Sequence, residues 1–432
     1  MNNFFRYRLG RYKYYLLTLV CTTMVIYSVF LIQQARSQPE QARSADAFVD
    51  SIGVVTHLRY LDTAYGNYNE IIKPKLKKLG VRHIRDDVSL EDLTTQTKLN
   101  ELATFGIKST LIMDTRWQET PANAVVIAKA VDQSVEAVEG PNEWDVHDEV
   151  SYQGETFPTG LRNFQADLYA AIKGDPATAH LDVLSPSVAH WWNAAKLGNV
   201  SCDLGTMHSY PGGNEPTWDL DSKWITATRL ICGSKPIVAT ECGWHNATDD
   251  EEALHPGVSE QAAGKYVPRM YLEYFNRDIK RAFIYEFINE WSGTDQESNF
   301  GLLRNDGSPK PAFNALKNLI TLLKDPGESF SPQALDYTLS GNISNVHHTL
   351  LQKRNGQFYL ILWQEVPSFD LNSKTDISVP EQQVTLTLKT PIKRAITYQP
   401  INSTTRLKRY KRPQQLNVSV PDHPLMIKLV PA

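Results

Sequence analysis

Residues 135 to 145 read VEAVEGPNEWD. An alternating, mostly apolar run from Val135 stops at Gly140-Pro141, and an amide, a carboxylate and an indole follow as Asn142, Glu143 and Trp144. This is the pattern of a strand that ends in a polar loop. On its own such a loop is as ordinary as it is functional. What decides is whether the rest of the chain repeats the unit, and from residue 51 onward it does so eight times.

Strands are predicted over 51–56, 81–85, 109–113, 135–139, 182–185, 204–208, 237–240 and 281–287, with helical segments between them. The helix after the fourth strand carries Leu161, Phe164, Leu168 and Ile172 at spacings of three and four, which marks one buried face. Eight strand–helix pairs in about 280 residues match a (β/α)8 TIM barrel, typically about 250 residues long. An open doubly wound sheet would more often show a Gly-rich phosphate loop after an early strand, and the sequence has none. In a barrel, chemistry gathers where strands run into the loops at the C-terminal face. Those ends carry His57, Arg85, Asp114 with Trp117, Asn142 with Glu143, His190 with Trp191, His208 with Tyr210, Glu241, and Glu286 with Trp291.

From about residue 325 helical spacing gives way to short alternating runs separated by turns such as Asn355-Gly356, which predicts an antiparallel β-sandwich of about 100 residues. Five basic residues among positions 406–412 read as a solvated hairpin edge, the alternative being a contact for anionic glycan or membrane headgroups. At the other end Arg6, Arg8, Arg11 and Lys13 precede an uncharged run over 14–32, close to the roughly 20 residues that cross a bilayer. The chain therefore divides into a basic cytoplasmic region 1–13, a transmembrane anchor or signal segment 14–32, a linker 33–47, a catalytic barrel 48–325 and a sandwich 326–432. The flanking positive charge places everything after the apolar run outside the cytoplasm. The folded part is membrane-anchored there, or secreted if the small-x-small site Ala35-Arg36-Ser37 is cut.

With 44 Lys and Arg against 48 Asp and Glu, the net charge of -4 offers no general attraction to nucleic acid. Aromatic residues at 10% suit a neutral ligand with flat apolar faces, such as a sugar. Of four cysteines, Cys21 lies in the apolar run, and Cys202, Cys232 and Cys242 would face an oxidising compartment. Cys202 precedes the sixth strand and Cys232 the seventh, so these two are expected to form a disulfide and Cys242 to stay free.

Residues 235–244, KPIVATECGW, put Glu241 at the end of the seventh strand. The fourth and seventh strands lie on opposite sides of an eight-stranded barrel, so Glu143 and Glu241 face each other across its mouth. Cleaving a glycosidic bond with retention needs such a pair, with carboxyl groups about 5–5.5 Å apart.

Asn142-Glu143, His208 with Tyr210, Glu241 and Trp291 together resemble clan A of the glycoside hydrolases. Residues 299–316, NFGLLRNDGSPKPAFNAL, and the C-terminal sandwich are similar more particularly to family 39 and related bacterial endo-glycosidases. The resemblance covers roughly residues 50–430. It implies that Glu143 is the general acid/base and Glu241 the nucleophile. It further implies that Asn142 hydrogen-bonds a sugar 2-hydroxyl, that Tyr210 orients Glu241, and that Arg85 keeps the nucleophile ionised. In the family the Asn-Glu pair is often followed by Pro; here Trp144 follows, which bears on subsite specificity.

Other residues have plainer readings beside functional ones. Glu139 is expected to be a barrel-layer carboxylate paired with Arg or His. Glu286 and Glu290 fit sugar contacts and exposed loop roles equally. Trp117, Trp144, Trp191, Trp192 and Trp291 could each stack on a pyranose or pack at the rim. His57 and His208 are placed to touch substrate, and no catalytic metal is expected, because the first strand lacks the His-x-His pair of metal-dependent barrel hydrolases. The sequence thus leads to a cofactor-independent, monomeric, retaining glycosidase acting internally on the β-glycosidic bonds of a polysaccharide or oligosaccharide. An anchored enzyme of this kind suits exopolysaccharide processing. Transglycosylation through the same intermediate and a non-catalytic glycan-binding protein are the alternatives.

Overall fold

The computed structural model describes residues 39–117 and 119–432. The basic and apolar segments 1–32, and with them the expected membrane span, lie outside these residues. Among the described residues no helix is long and apolar enough to cross a membrane.

Eight parallel strands form the barrel: β1 (Ile52–Val55), β2 (His83–Asp87), β3 (Lys108–Ile112), β4 (Val135–Glu139), β5 (Asp182–Leu184), β6 (Gly205–Ser209), β7 (Ile237–Cys242) and β8 (Arg281–Ile284). They run side by side in the order β5-β4-β3-β2-β1-β8-β7-β6. The ring is completed by a parallel bridge from Leu184 to Leu204, where the Ser185 N–H donates to the Leu204 carbonyl at 2.9 Å. Every strand read from the sequence is present, with ends shifted by a few residues.

A barrel strand is buried on both faces, and His83–Asp87, Gly205–Ser209 and Ile237–Cys242 are buried at every position, polar side chains included. Val55, Ala137, Leu184, Leu204, Val238 and Phe283 fill the interior. Gly53 lies beside Phe283 in the β1–β8 pairing, and a Cβ there would come within 2.4 Å of the phenyl ring, so the large side chain needs the small neighbour. Outside the barrel, helix Thr159–Gly174 buries Leu161, Phe164, Leu168 and Ile172, the face its spacing predicts.

The C-terminal region is a sandwich of a six-stranded and a three-stranded sheet around Leu350, Leu360, Leu362, Leu386, Val418 and Ile427. The alternate residues Leu351, Ile361, Trp363 and Met426 join the core shared with the barrel helices. Phe358–Gln364 is therefore buried at all seven positions, because its sheet has a hydrophobic partner on each face. The fully buried Arg269, on helix Glu260–Asn276, pairs with Glu365 at 2.8 Å and donates to the carbonyls of Val366 and Asp422 at 3.0 and 3.2 Å. A charge so enclosed stays because it is paired and hydrogen-bonded on every side. The basic run is the edge strand Lys408–Lys411, as the solvated reading requires.

Two expectations are corrected. Residues 40–44 do not behave as linker: Glu40–Gln41 pairs antiparallel with Ala334–Leu335, and Arg43–Ser44 pairs parallel with Leu351 and Gln352. Two-residue strands are too short to show alternation, so nothing local announces them. Cys202 and Cys232 are free thiols, not a bridge. The Cys232 sulfur packs over Gly205, where a Cβ would approach it to 2.3 Å, while the Cys202 sulfur lies 3.8 Å from Lys235 Nζ. Position on adjacent barrel units does not by itself aim two side chains at each other.

Candidate active site

Glu241 reaches the barrel mouth through an irregularity in β7. Against β6, Met207 pairs with Ala239 but His208 pairs with Glu241, so Thr240 is an extra residue. The same strand slips against β8, where Ala282 faces Ala239 and Ile284 faces Cys242. Such a bulge re-aims the side chain beside it. Here it brings Glu241 inward next to Thr240, whose Oγ1 lies 3.1 Å from His208 Nε2.

Arg85, 1% exposed, connects both halves of the site. Its Nη1 donates to Glu241 Oε1 at 2.7 Å, Nε and Nη2 donate to the two Glu139 oxygens at 2.6 and 3.1 Å, and Nη2 also donates to Asn142 Oδ1 at 2.7 Å. The plain reading of Glu139 as a buried partner for Arg is thus correct. With Asn142 Oδ1 occupied, its amide NH2 remains to donate toward the cleft that Asn142 lines. Tyr210 donates to Glu241 Oε2 at 2.6 Å.

Glu143 adopts a left-handed backbone, φ 53° and ψ 41°, uncommon for a residue with a side chain. Its N–H donates to Ser187 Oγ at 3.3 Å, and its Oε1 lies 2.6 Å from His208 Nδ1. His208 Nδ1 is also 3.6 Å from Glu241 Oε2. One carboxylate oxygen from each glutamate and one ring nitrogen of His208 all lie within 4.8 Å of one another.

The electrostatics separate the groups. Burial alone would raise the Glu241 pKa, but the charges of His208 and Arg85 and the hydrogen bonds from Tyr210 and Arg85 outweigh it and hold the carboxyl at about 2. Burial likewise opposes the charged form of His208, and the carboxylates of Glu241 and Glu143 raise its pKa nonetheless. The Tyr210 phenol is pushed well up by burial and by the same two carboxylates, so it remains a proton donor.

Around these groups opens a cleft of about 720 Å³. Glu143, Glu241, Asn142, Arg85, Tyr210, His57 and Trp117 all line it. Arg59 and Arg116 approach the Trp117 indole at 5.9 and 5.4 Å from its centre. His208 is fully buried and acts from beneath, through Glu143. Two expected contacts are absent. Trp144 is fully buried, its Nε1 donating to both oxygens of the buried Asp114 at 3.1 Å and its ring 6.1 Å from that of Phe164. Asp114 also accepts from the Asn142 N–H at 3.0 Å, so the indole braces the loop beside Glu143 from below. Trp291 is 45% exposed and does not line the cleft; Tyr285, directly after β8, supplies the aromatic wall instead.

Sequence reasoning overlooked Tyr285, Trp218, Trp224, His255, Glu297 and Phe300, which also line the cleft. Tyr285 was visible, since it lies within the predicted eighth strand. Trp224 lies in the helical turn Leu220–Ile225 and Glu297 in the short turn Glu297–Asn299, while Trp218, His255 and Phe300 sit in loops without periodicity; only the fold brings them to the site.

No family model matches the chain, and no curated protein matches it. Among solved structures 293 chains match. A family 39 glycoside hydrolase from the gut symbiont Bacteroides cellulosilyticus WH2 aligns with a TM-score of 0.58 at 15% identity, over 90% of this chain and 81% of that one. A family 17 β-1,3-glucanosyltransferase from Rhizomucor miehei aligns at 0.44 with 17% identity, over 60% of this chain and 95% of that one. A β-glucuronidase from Parabacteroides merdae aligns at 0.45 with 10% identity, over 91% and 61%. The chain thus shares its fold, barrel and sandwich together, with a family 39 glycoside hydrolase.

Proposed function

We propose that the protein is a retaining glycoside hydrolase that cuts β-glycosidic bonds inside a polysaccharide, with Glu241 as nucleophile and Glu143 as general acid and then base. The spacing of the two carboxylates carries this reading. Oxygens within 4.8 Å suit direct attack on the anomeric carbon, about 5–5.5 Å being usual for retention, whereas about 6.5–9.5 Å leaves room for the water of an inverting enzyme.

Glu241, ionised and held by Arg85 and Tyr210, attacks the anomeric carbon while Glu143 protonates the departing oxygen. The proton comes from the Glu143–His208 pair. Having given its proton to the departing oxygen, Glu143 is an anion; with Glu241 esterified and its charge gone, Glu143 stays one until it takes the proton of the attacking water. The second displacement frees Glu241 and restores the starting configuration. Asn142 donates to the sugar 2-hydroxyl, and Trp117 and Tyr285 offer faces for the ring. Trp192 and Trp218, exposed by 52% and 49% on the cleft wall, extend the apolar surface beyond one sugar and support internal cleavage. The same surface would hold an acceptor sugar, so transglycosylation is the second reading.

Digestion of a β-linked polysaccharide, followed by NMR before mutarotation, should show the β-anomer first. Size analysis should show chain length falling early, before small sugars accumulate. A first-formed α-anomer would exclude the double displacement, and products longer than the substrate would move the reading to transglycosylation.

The segment 14–32 supports a second part of the proposal, a monomer tethered to the membrane with its barrel outside the cytoplasm, where exported polysaccharide passes. The full chain should remain in carbonate-washed membranes, and deletion of residues 1–38 should release it. A full chain that washes off would remove the tether.

A further inference from the structure

A second cluster of titratable groups lies at the cleft wall, with His57 lining the cleft and two buried glutamates behind it, and the catalytic pair makes no use of it. His57 follows β1, and Glu286 and Glu290 follow the neighbouring β8. His57 Nε2 lies 3.8 Å from Glu286 Oε2 and 3.7 Å from Glu290 Oε1, and one donor atom from each residue falls within 4.8 Å of the other two. Glu286 is fully buried and Glu290 is 2% exposed. Three of their atoms, His57 Nε2, Glu286 Oε1 and Glu290 Oε1, are buried without a hydrogen-bond partner, while Glu286 Oε2 accepts from the Tyr65 hydroxyl at 2.9 Å. Among the described residues no Lys or Arg forms an ion pair with either carboxylate.

Two buried carboxylates side by side cannot both be anions without a positive charge between them, and orphaned buried acceptors are rare in native proteins. We propose that His57, Glu286 and Glu290 bind a divalent cation of the Zn2+ or Mn2+ kind, as a structural ion that joins the loops after β1 and β8. Donors at these separations place an ion between them roughly 2.2–2.5 Å from each, close to ordinary metal–nitrogen and metal–oxygen distances. Two carboxylates balance a double positive charge, and one imidazole with two oxygens suits a borderline metal better than Ca2+ or Mg2+. The other side of the ring stacks on Tyr60, with centroids 4.8 Å apart, and meets the edge of Tyr285. The ion would thereby fix a wall of the cleft while taking no part in bond cleavage. The inference does not rest on the glycosidase reading.

The full chain, stripped with EDTA and dialysed, is to be titrated with Zn2+ and with Mn2+ by calorimetry, with metal content and thermal midpoint measured in parallel. About one equivalent per chain and a midpoint raised by several degrees are expected. Glu290→Gln and His57→Gln should each weaken that binding at least tenfold. Glu143→Gln should retain it, separating this cluster from the catalytic one, and the double variant Cys202→Ser, Cys232→Ser should retain it too, excluding the thiols. If neither metal binds stoichiometrically, or if Glu290→Gln binds as tightly as the parent, the proposal is wrong. A Glu290→Gln variant that melts at the same temperature as the parent with metal present would instead assign the cluster to carboxyl groups sharing protons.

Discussion

Replacing Glu241 with Ala should lower polysaccharide turnover by about 10⁵- to 10⁶-fold, the scale seen when a covalent nucleophile is removed. The fold should survive, because Arg85 keeps its bonds to Glu139 and Asn142 and the truncated side chain lies at the cleft surface. Formate or azide entering the vacated space should restore part of the rate. With azide the product should be the α-glycosyl azide, since a single displacement inverts the anomeric carbon. The rate of reducing-end release and the configuration of the azide adduct check both statements. Unchanged polysaccharide cleavage in Glu241→Ala would sink the hydrolase reading and leave a glycan-binding protein.

The second large effect belongs to Arg85. Arg85→Met removes the cation that faces Glu139 and Glu241 and leaves two buried carboxylates without their shared partner. Breaking a buried pair in this way costs about 3–5 kcal/mol, so in a fold of this size the thermal midpoint should fall by roughly 4–6 °C. Activity should fall as well, and its pH profile should move in a defined direction. In the native protein the Glu241 carboxyl is held at about 2, below its ordinary value. Its stabilising contribution is therefore complete above the unfolded pKa and is lost as pH falls through the native one. Without Arg85 the native pKa rises, so the acid limb of kcat/KM should shift upward. Arg85→Lys should restore part of the stability but less of the rate, because one ammonium cannot replace a fork that reaches three residues at once. An acid limb that stays in place in Arg85→Met would show that Arg85 does not hold the nucleophile ionised.

Most of the geometry of the candidate site was legible because barrel architecture converts a strand's end into a place in space. Arg85, Asn142, Glu143, Tyr210 and Glu241 needed only the alternation of strand and helix to be put around one mouth. What escaped has specific causes. Strict two-residue alternation along β7 would turn Glu241 toward the helices, and the extra Thr240 that corrects this has no signature in IVATEC. Trp144 looked like a sugar platform because indoles at strand ends often are; the buried Asp114 carboxylate, which draws its N–H inward, comes from another strand. Trp291 came from the resemblance and from its place after the eighth strand, while Tyr285, one residue from the end of β8, lay inside the predicted strand and was not singled out. The thiols of Cys202 and Cys232 were paired by position in the barrel, which fixes backbones and not the direction of side chains.

The strands Glu40–Gln41 and Arg43–Ser44 have a bearing on reach. They clamp the entering chain to the sandwich from residue 40, so under the proposed tether through residues 14–32 only seven residues, 33 to 39, separate the span from the fold. Fully extended, seven residues span at most about 25 Å. Such an enzyme would not patrol the surrounding medium. It would sample a thin shell at the membrane and trim only those polymers that are threaded past it.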